Sequence, residues 1–163
     1  HNGWGSKRID LQAELERLAD WGDLPTACKI AARLELLISA VPSKMVFTCL
    51  KLADFEMISE PQPTETSGGC GFIPREIMER LLGIGKKGQR LNAWKRYTAI
   101  QVRILAPKLG IFKGILCLKE GISCIQLPPS MLKVKPSRTL QSEISLDSDL
   151  TFLLVKKIFP GDT

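Results

Sequence analysis

With 163 residues and a hydrophobic fraction of 44%, the chain is long enough for one domain with a real core, or one domain with a helical extension. Aromatic residues make up only 6%, which argues against an extended stacking platform of the kind single-strand binders use. The net charge of +6 is unevenly placed: residues 75–138 hold fourteen Lys or Arg against three Glu, a balance of +11, which favours a polyanionic partner, nucleic acid first.

From the N-terminus, residues 7–20 place Ile9, Leu11, Leu15 and Leu18 near one helical face. Trp21-Gly22-Asp23 breaks that helix. A second starts near Pro25, a residue tolerated in the first helical turn, and runs to Pro42 with Ile30, Leu34, Leu37 and Ile38 on its apolar face. The pair reads as a helical hairpin over residues 1–43. From Lys44 the pattern changes, and residues 45–52 and 54–58 read as strands. Residues 60–69 form a loop rich in Pro, Thr, Ser and Gly, and a short helix follows from Pro74 to Leu82. Gly83 to Arg90 is a basic loop; its Gly-x-Gly-x-x-Gly spacing follows a helix rather than a strand, so it does not fit a dinucleotide fingerprint. Strands are expected at 99–105, 114–118 and 123–127, with one more at 131–135. Residues 139–163 read as a tail or the start of a next segment, whose apolar end is either a terminal strand or a severed piece of a larger fold. The whole is expected to be α+β: an N-terminal helical hairpin followed, over residues 44–138, by a small β-barrel with one embedded helix.

Five cysteines (Cys28, Cys49, Cys70, Cys117, Cys124) are widely spaced without a Cys-x-x-Cys pair, and the only histidine is His1. No zinc site is expected, and buried free thiols in a reducing compartment are the simplest reading. No signal-peptide pattern is visible in the first residues, and apolar runs fall far short of the roughly 20 residues a membrane span needs. A cytoplasmic or nuclear location with no membrane partner is expected. The chain begins with His1 rather than Met, which reads as a fragment or a processed chain.

Several short motifs occur in a particular order. They are Lys29-Ile-Ala-Ala-Arg-Leu-Glu-Leu-Leu-Ile-Ser39, then Gly69-Cys-Gly-Phe-Ile73, Gln101-Val-Arg103, Lys113-Gly114 and Pro129-Ser-Met-Leu-Lys133. None is specific alone. As an ordered set over residues 28–138 they resemble the core of the cellular RNA-dependent RNA polymerases that serve RNA silencing in fungi, plants and worms. The resemblance implies a double-psi β-barrel, one of two that face each other. One barrel of such enzymes holds Mg2+ on an Asp-x-Asp-Gly-Asp loop; the other, to which this segment is similar, supplies lysines to phosphates. It therefore implies Lys113 and Lys133 as catalytic phosphate-contacting lysines, Arg103, Lys108 and Lys135 as RNA-binding residues, and Gly69 and Gly71 as a structural turn; for Arg103 a structural role, orienting the barrel or pairing with a carboxylate, is the other reading and stands ahead. The implied partners are RNA template and product, nucleoside triphosphates and the remainder of the polymerase core. A compact ammonium on a flexible stem suits contact with shifting phosphate charge.

The chain departs from the family pattern in two places. Gly68 stands where an Asp usually precedes Gly-x-Gly-Phe. No Asp-x-Asp-Gly-Asp occurs, and Asp147-Ser-Asp149 is followed by Leu150 and Thr151 instead. Two-metal nucleotidyl transfer needs clustered carboxylates. No metal site is thus expected in this chain; Mg2+ would be bound outside it, and the chain alone would be inactive. The alternative expectation is a non-catalytic nucleic-acid-binding protein derived from a truncated or degenerate polymerase.

Overall fold

Alternation of apolar and polar side chains turns the central segment into strands, and the longest of them organise everything else. A computed structural model describes residues 19–38, 50–59, 69–82, 97–106, 108–136 and 151–160, together with Ala13, Leu15, Glu16 and the backbone of Val46–Phe47. Helix α1 spans Ala27–Ile38 and α2 spans Arg75–Leu82. The strands are β1 (Val46–Phe47), β2 (Phe55–Met57), β3 (Cys70–Ile73), β4 (Tyr97–Ala106), β5 (Gly110–Leu118), β6 (Ile125–Leu127), β7 (Leu132–Val134) and β8 (Phe152–Pro160).

They form one mixed sheet in the order β1-β8-β4-β5-β3-β6-β2, with β7 added on β5. The β4–β5 hairpin is the spine, paired in register from Ala99↔Cys117 to Ala106↔Gly110. The other edge of β5 is shared: β7 runs antiparallel to its first half and β3 parallel to its second. Strand β2 is parallel to β6. Parallel pairs cannot be joined by a tight turn and need a crossover. Between β3 and β5 the described part of that crossover is α2 and β4.

The α+β class expected from sequence is what the sheet and two helices make. The described pairings run as a path with a branch at β5. Of the first expected helix, Ala13, Leu15 and Glu16 are helical, and the remainder of residues 7–18 lies outside the described residues. So do the loops at 60–68 and 83–90, and Asp147 and Asp149.

Ile100, Val102 and Ile104 of β4, Phe112 and Leu116 of β5, Ile125 and Leu127 of β6, and Leu153 and Val155 of β8 share one buried face. Helix α2 closes that core with Ile77, Met78 and Leu81. Each fully buried aliphatic or aromatic side chain contributes about 1.5–3 kcal/mol. A second cluster lies on the opposite face, where Ala19 and Leu36 pack on Ile111 and Val134, with Trp21 and Leu24 beside them. The N-terminal segment is thereby docked on the sheet, and Asp20 adds a one-residue antiparallel bridge to Lys135.

Three elements differ from the sequence reading. Residues 45–52 do not form one strand: Val46–Phe47 is extended, but Leu52–Asp54 is a 3-10 turn. The Asp54 carboxylate accepts from the Lys51 amide at 2.7 Å, offering the backbone a local partner in place of a ladder. Strand β5 starts at Gly110, four residues early, because β4 pairs with it over its full length. Met131 belongs to a 3-10 turn, Pro129–Met131, rather than to a strand. Of the two readings of the C-terminal apolar run, the structure shows the terminal strand: β8 pairs along β4 from Leu105↔Phe152 to Tyr97↔Pro160.

The thiols are also not uniformly buried. Cys28 and Cys70 are exposed, while Cys117 and Cys124 are half-buried. Cys28 falls on the solvent side of α1, and Cys70 on the sheet face away from the core. Cys49 lies outside the described residues.

Candidate phosphate-facing site

Three of the sequence motifs meet at a single crossing. Gly69 ends a turn with φ at 86°, a conformation that glycine takes without penalty. Its carbonyl then accepts from the Ile115 amide at 2.8 Å, where β3 comes alongside β5. The approach is too close for side chains. A Cβ on Gly114 would lie 2.1 Å from the Gly69 oxygen, and one on Gly71 would lie 2.4 Å from the Gln126 oxygen. Gly69 therefore serves the turn expected of it, whereas Gly71 sits inside β3 and serves close approach instead.

Met131 fills the space those glycines leave. It is fully buried, and its side chain is the one nearest to where a Cβ would stand on Gly71, Gly114 and Gly69 alike. The unbranched thioether suits such an irregular gap. Pro129 begins the 3-10 turn, the Met131 amide donates to the Pro128 carbonyl at 3.0 Å, and Lys133 follows two residues later. The glycine pair, the Lys-Gly step and the Pro-Ser-Met-Leu-Lys run are thus one packing unit.

Lys113 and Lys133 lie on neighbouring strands, on either side of the Phe112↔Leu132 pair. Between Leu132 and Val134 β7 advances two residues while β5 steps back one, from Phe112 to Ile111. Lys133 is the extra residue, at a bulge, a device that re-aims a side chain. Both lysines are half-buried, and Lys133 Nζ donates to the Ser130 carbonyl.

Lys133 and Lys135 line a cleft of about 180 Å³ with Asp20, Asp23, Leu24, Pro129, Leu132 and Val134. Lys135 is exposed and forms an ion pair with Asp23. Sequence reasoning missed these two aspartates, because nothing in the spacing places residues 20–23 beside residue 135. Lys108 is half-buried in the β4–β5 turn.

Arg103 sits inside the fold, in a structural position rather than an RNA-facing one. It is 4% exposed, and its Nη1 donates to the Leu36 carbonyl at 3.2 Å. Leu36 lies in the last turn of α1, where carbonyls lack intrahelical partners and carry partial negative charge. Arg103 also sits directly opposite Lys113 in the ladder, a like-charge pairing. Turning the guanidinium toward the helix end separates the two charges and secures α1.

At the far edge, Glu56 Oε2 accepts from Gln126 Nε2 at 3.0 Å and from Cys124 Sγ at 3.4 Å. Those bonds, Gln126 first, hold its carboxyl below the usual glutamate range. Desolvation, then the bond to Glu56, pushes the Cys124 thiol up. Desolvation, then the neighbouring Cys70, does the same to Cys117.

Among the described residues no group of three or more His, Cys, Asp or Glu could hold a metal ion. Among the same residues no helix is long and apolar enough to cross a membrane.

The mixed sheet and its glycine crossing flanked by lysines define an α+β core element of basic character. The model of the RNA dependent RNA polymerase family matches residues 4–152, and the chain belongs to that family. No curated protein matches it.

Proposed function

We propose that this chain forms part of the core of an RNA-directed RNA polymerase and contributes phosphate-contacting lysines to templated ribonucleotide addition. In this reading the sheet is the lysine-bearing double-psi barrel, and Lys113 and Lys133 stabilise phosphate charge near the reacting centre. Lys108 and Lys135 extend the contact to RNA. Arg103 acts at one remove, by holding α1 against β4. Mg2+ would be held by carboxylates elsewhere in the polymerase, and the product would be double-stranded RNA for silencing in the cytoplasm or nucleus.

The observation that carries the reading is the convergence of three family motifs on one crossing, with a lysine adjoining it from each of two strands. Glycines there let two backbones meet, and Met131 locks the turn that leads into Lys133. Half-burial of both lysines limits their freedom.

Fluorescence anisotropy with labelled single-stranded RNA tests this. Lys113→Ala with Lys133→Ala is expected to weaken binding and to reduce the slope of log K against log salt by about 1.4, two contacts at about 0.7 each. Identical affinity and slope in the double variant would exclude phosphate contact by these lysines.

A further inference from the structure

The N-terminal segment does more than cover the sheet: it brings two carboxylates to the strand that carries Lys133. The Asp20 amide donates to the Lys135 carbonyl at 2.9 Å, which fixes the two backbones against each other. A 3-10 turn, Trp21–Asp23, follows at once, closed by the Leu24 amide on the Trp21 carbonyl at 3.3 Å. Asp20 caps that turn, its Oδ1 accepting from the Gly22 amide at 3.2 Å. The turn bends the chain so that the Asp23 carboxylate meets the Lys135 ammonium. Apolar contacts of Ala19, Trp21 and Leu24 with the cluster around Ile111 and Val134 hold the segment in place.

Asp20 and Asp23 line one cleft with Lys133 and Lys135, so its charges balance, two against two. Lys133 Nζ donates to the Ser130 carbonyl, and Lys135 is paired with Asp23. Both ammonium groups at this edge are therefore engaged from within the chain. Exposed ion pairs ordinarily gain little, because two mobile side chains must be held in one geometry. Here Asp23 is short, and the bond between Asp20 and Lys135 already fixes the backbone at both ends. With the Lys135 side chain 65% exposed and that of Asp23 39%, the pair still faces solvent and can yield to a competing anion.

We propose that Asp23 is a built-in competitor of phosphate: its carboxylate occupies Lys135, a bound phosphate must displace it, and the N-terminal turn thereby sets the affinity of the lysine cleft. The proposal rests on the polymerase reading, which makes Lys133 and Lys135 phosphate contacts; what it adds is regulation of that site from within the chain. A carboxylate and a phosphate oxygen offer an ammonium the same kind of charge-assisted bond, so they compete for it. The contact lowers affinity without abolishing it. Any event that lifts the turn from β7, or removes the charge of Asp23, adds one cation to the cleft.

Limiting acetic anhydride followed by mass spectrometry reads the pairing, and anisotropy with the labelled single-stranded RNA reads the competition. Asp23→Asn should speed acetylation of Lys135 while that of the other lysines holds. It should tighten RNA binding about 1.5- to 5-fold, the range of an exposed pair, and steepen the salt slope by about 0.7, one added contact. With Lys135→Ala in place, the same substitution should no longer steepen the slope. Helix α1 should keep its exchange protection in Asp23→Asn, since the apolar anchors are untouched; lost protection would assign the gain to undocking and overturn the proposal. Unchanged RNA affinity would overturn it as well. So would an equal steepening without Lys135, which would reduce Asp23 to general repulsion. Faster acetylation in a chain that does not bind RNA at all would fault the polymerase reading and take the proposal with it. Unchanged acetylation in a chain that does bind RNA would fault the proposal alone.

Discussion

Replacing Gly114 with alanine should break the crossing that sets Lys113. The new Cβ would sit 2.1 Å from the Gly69 oxygen and 2.9 Å from Met131 Cγ, where carbon contacts ordinarily fall at about 3.5–4.0 Å. The methionine can swing aside, but the carbonyl belongs to the backbone of a turn. Relief therefore requires β3 to retreat by about 1 Å or more, which breaks the 2.8 Å bond from the Ile115 amide to Gly69. Overpacking costs about 1–3 kcal/mol and the lost hydrogen bond about 1 kcal/mol. Restriction of the unfolded chain returns about 0.4–1 kcal/mol, leaving a net loss of about 1–3.6 kcal/mol. For a chain of this size that lowers Tm by about 2–14 °C. Gly121→Ala is the control: nothing lies within 4 Å of its Cβ, and only its φ of +76° is strained, for about 1–2 kcal/mol. Urea and thermal unfolding of both variants give the comparison. If Gly114→Ala proves no less stable than Gly121→Ala, backbone contact at the crossing is not what glycine secures there.

Arg103→Ala should cost about 2–4 kcal/mol, through the lost bond to Leu36 and the cavity it leaves, and hydrogen exchange should speed up first in α1. Protection of α1 unchanged from the parent chain would remove Arg103 from the docking of that helix. For Glu56 the sign follows from its lowered folded value: its contribution is complete above the ordinary glutamate range and disappears as pH falls through the lowered value. Exchange protection of the β2–β6 pairs should thus decline on acidification, and Glu56→Gln should flatten that decline; a parallel decline in both proteins would show that other groups govern it. Timed alkylation followed by mass spectrometry should label the exposed Cys28 and Cys70 before Cys117, whose thiol is half-buried and raised by desolvation. Labelling of Cys117 first would contradict its packing against the sheet.

Local pattern alone determined the elements. The alternation in Tyr97–Ala106, the amphipathic stretch ending at Ile38 and the proline-started helix before Leu82 are each legible because period and caps are local properties. The excess charge of residues 75–138 was likewise legible, as was the order of the motifs that marks the family. Contacts between distant residues were not. Gly71 reads as a turn residue in sequence and is a strand residue, because its reason for lacking a side chain is Gln126, brought to it by β6. Arg103 reads as structural or RNA-binding, but its partner was not legible: α1 places a helix end above it. The pairing of Asp23 with Lys135 joins positions more than a hundred residues apart. For β8 the sequence left a terminal strand and a severed piece both open, since an apolar run carries no sign of which strand will pair with it; β4 supplied the partner. Backbone hydrogen bonding is non-specific by residue type, so which strands meet, and which lysines then stand at the crossing, is decided by packing the whole chain at once.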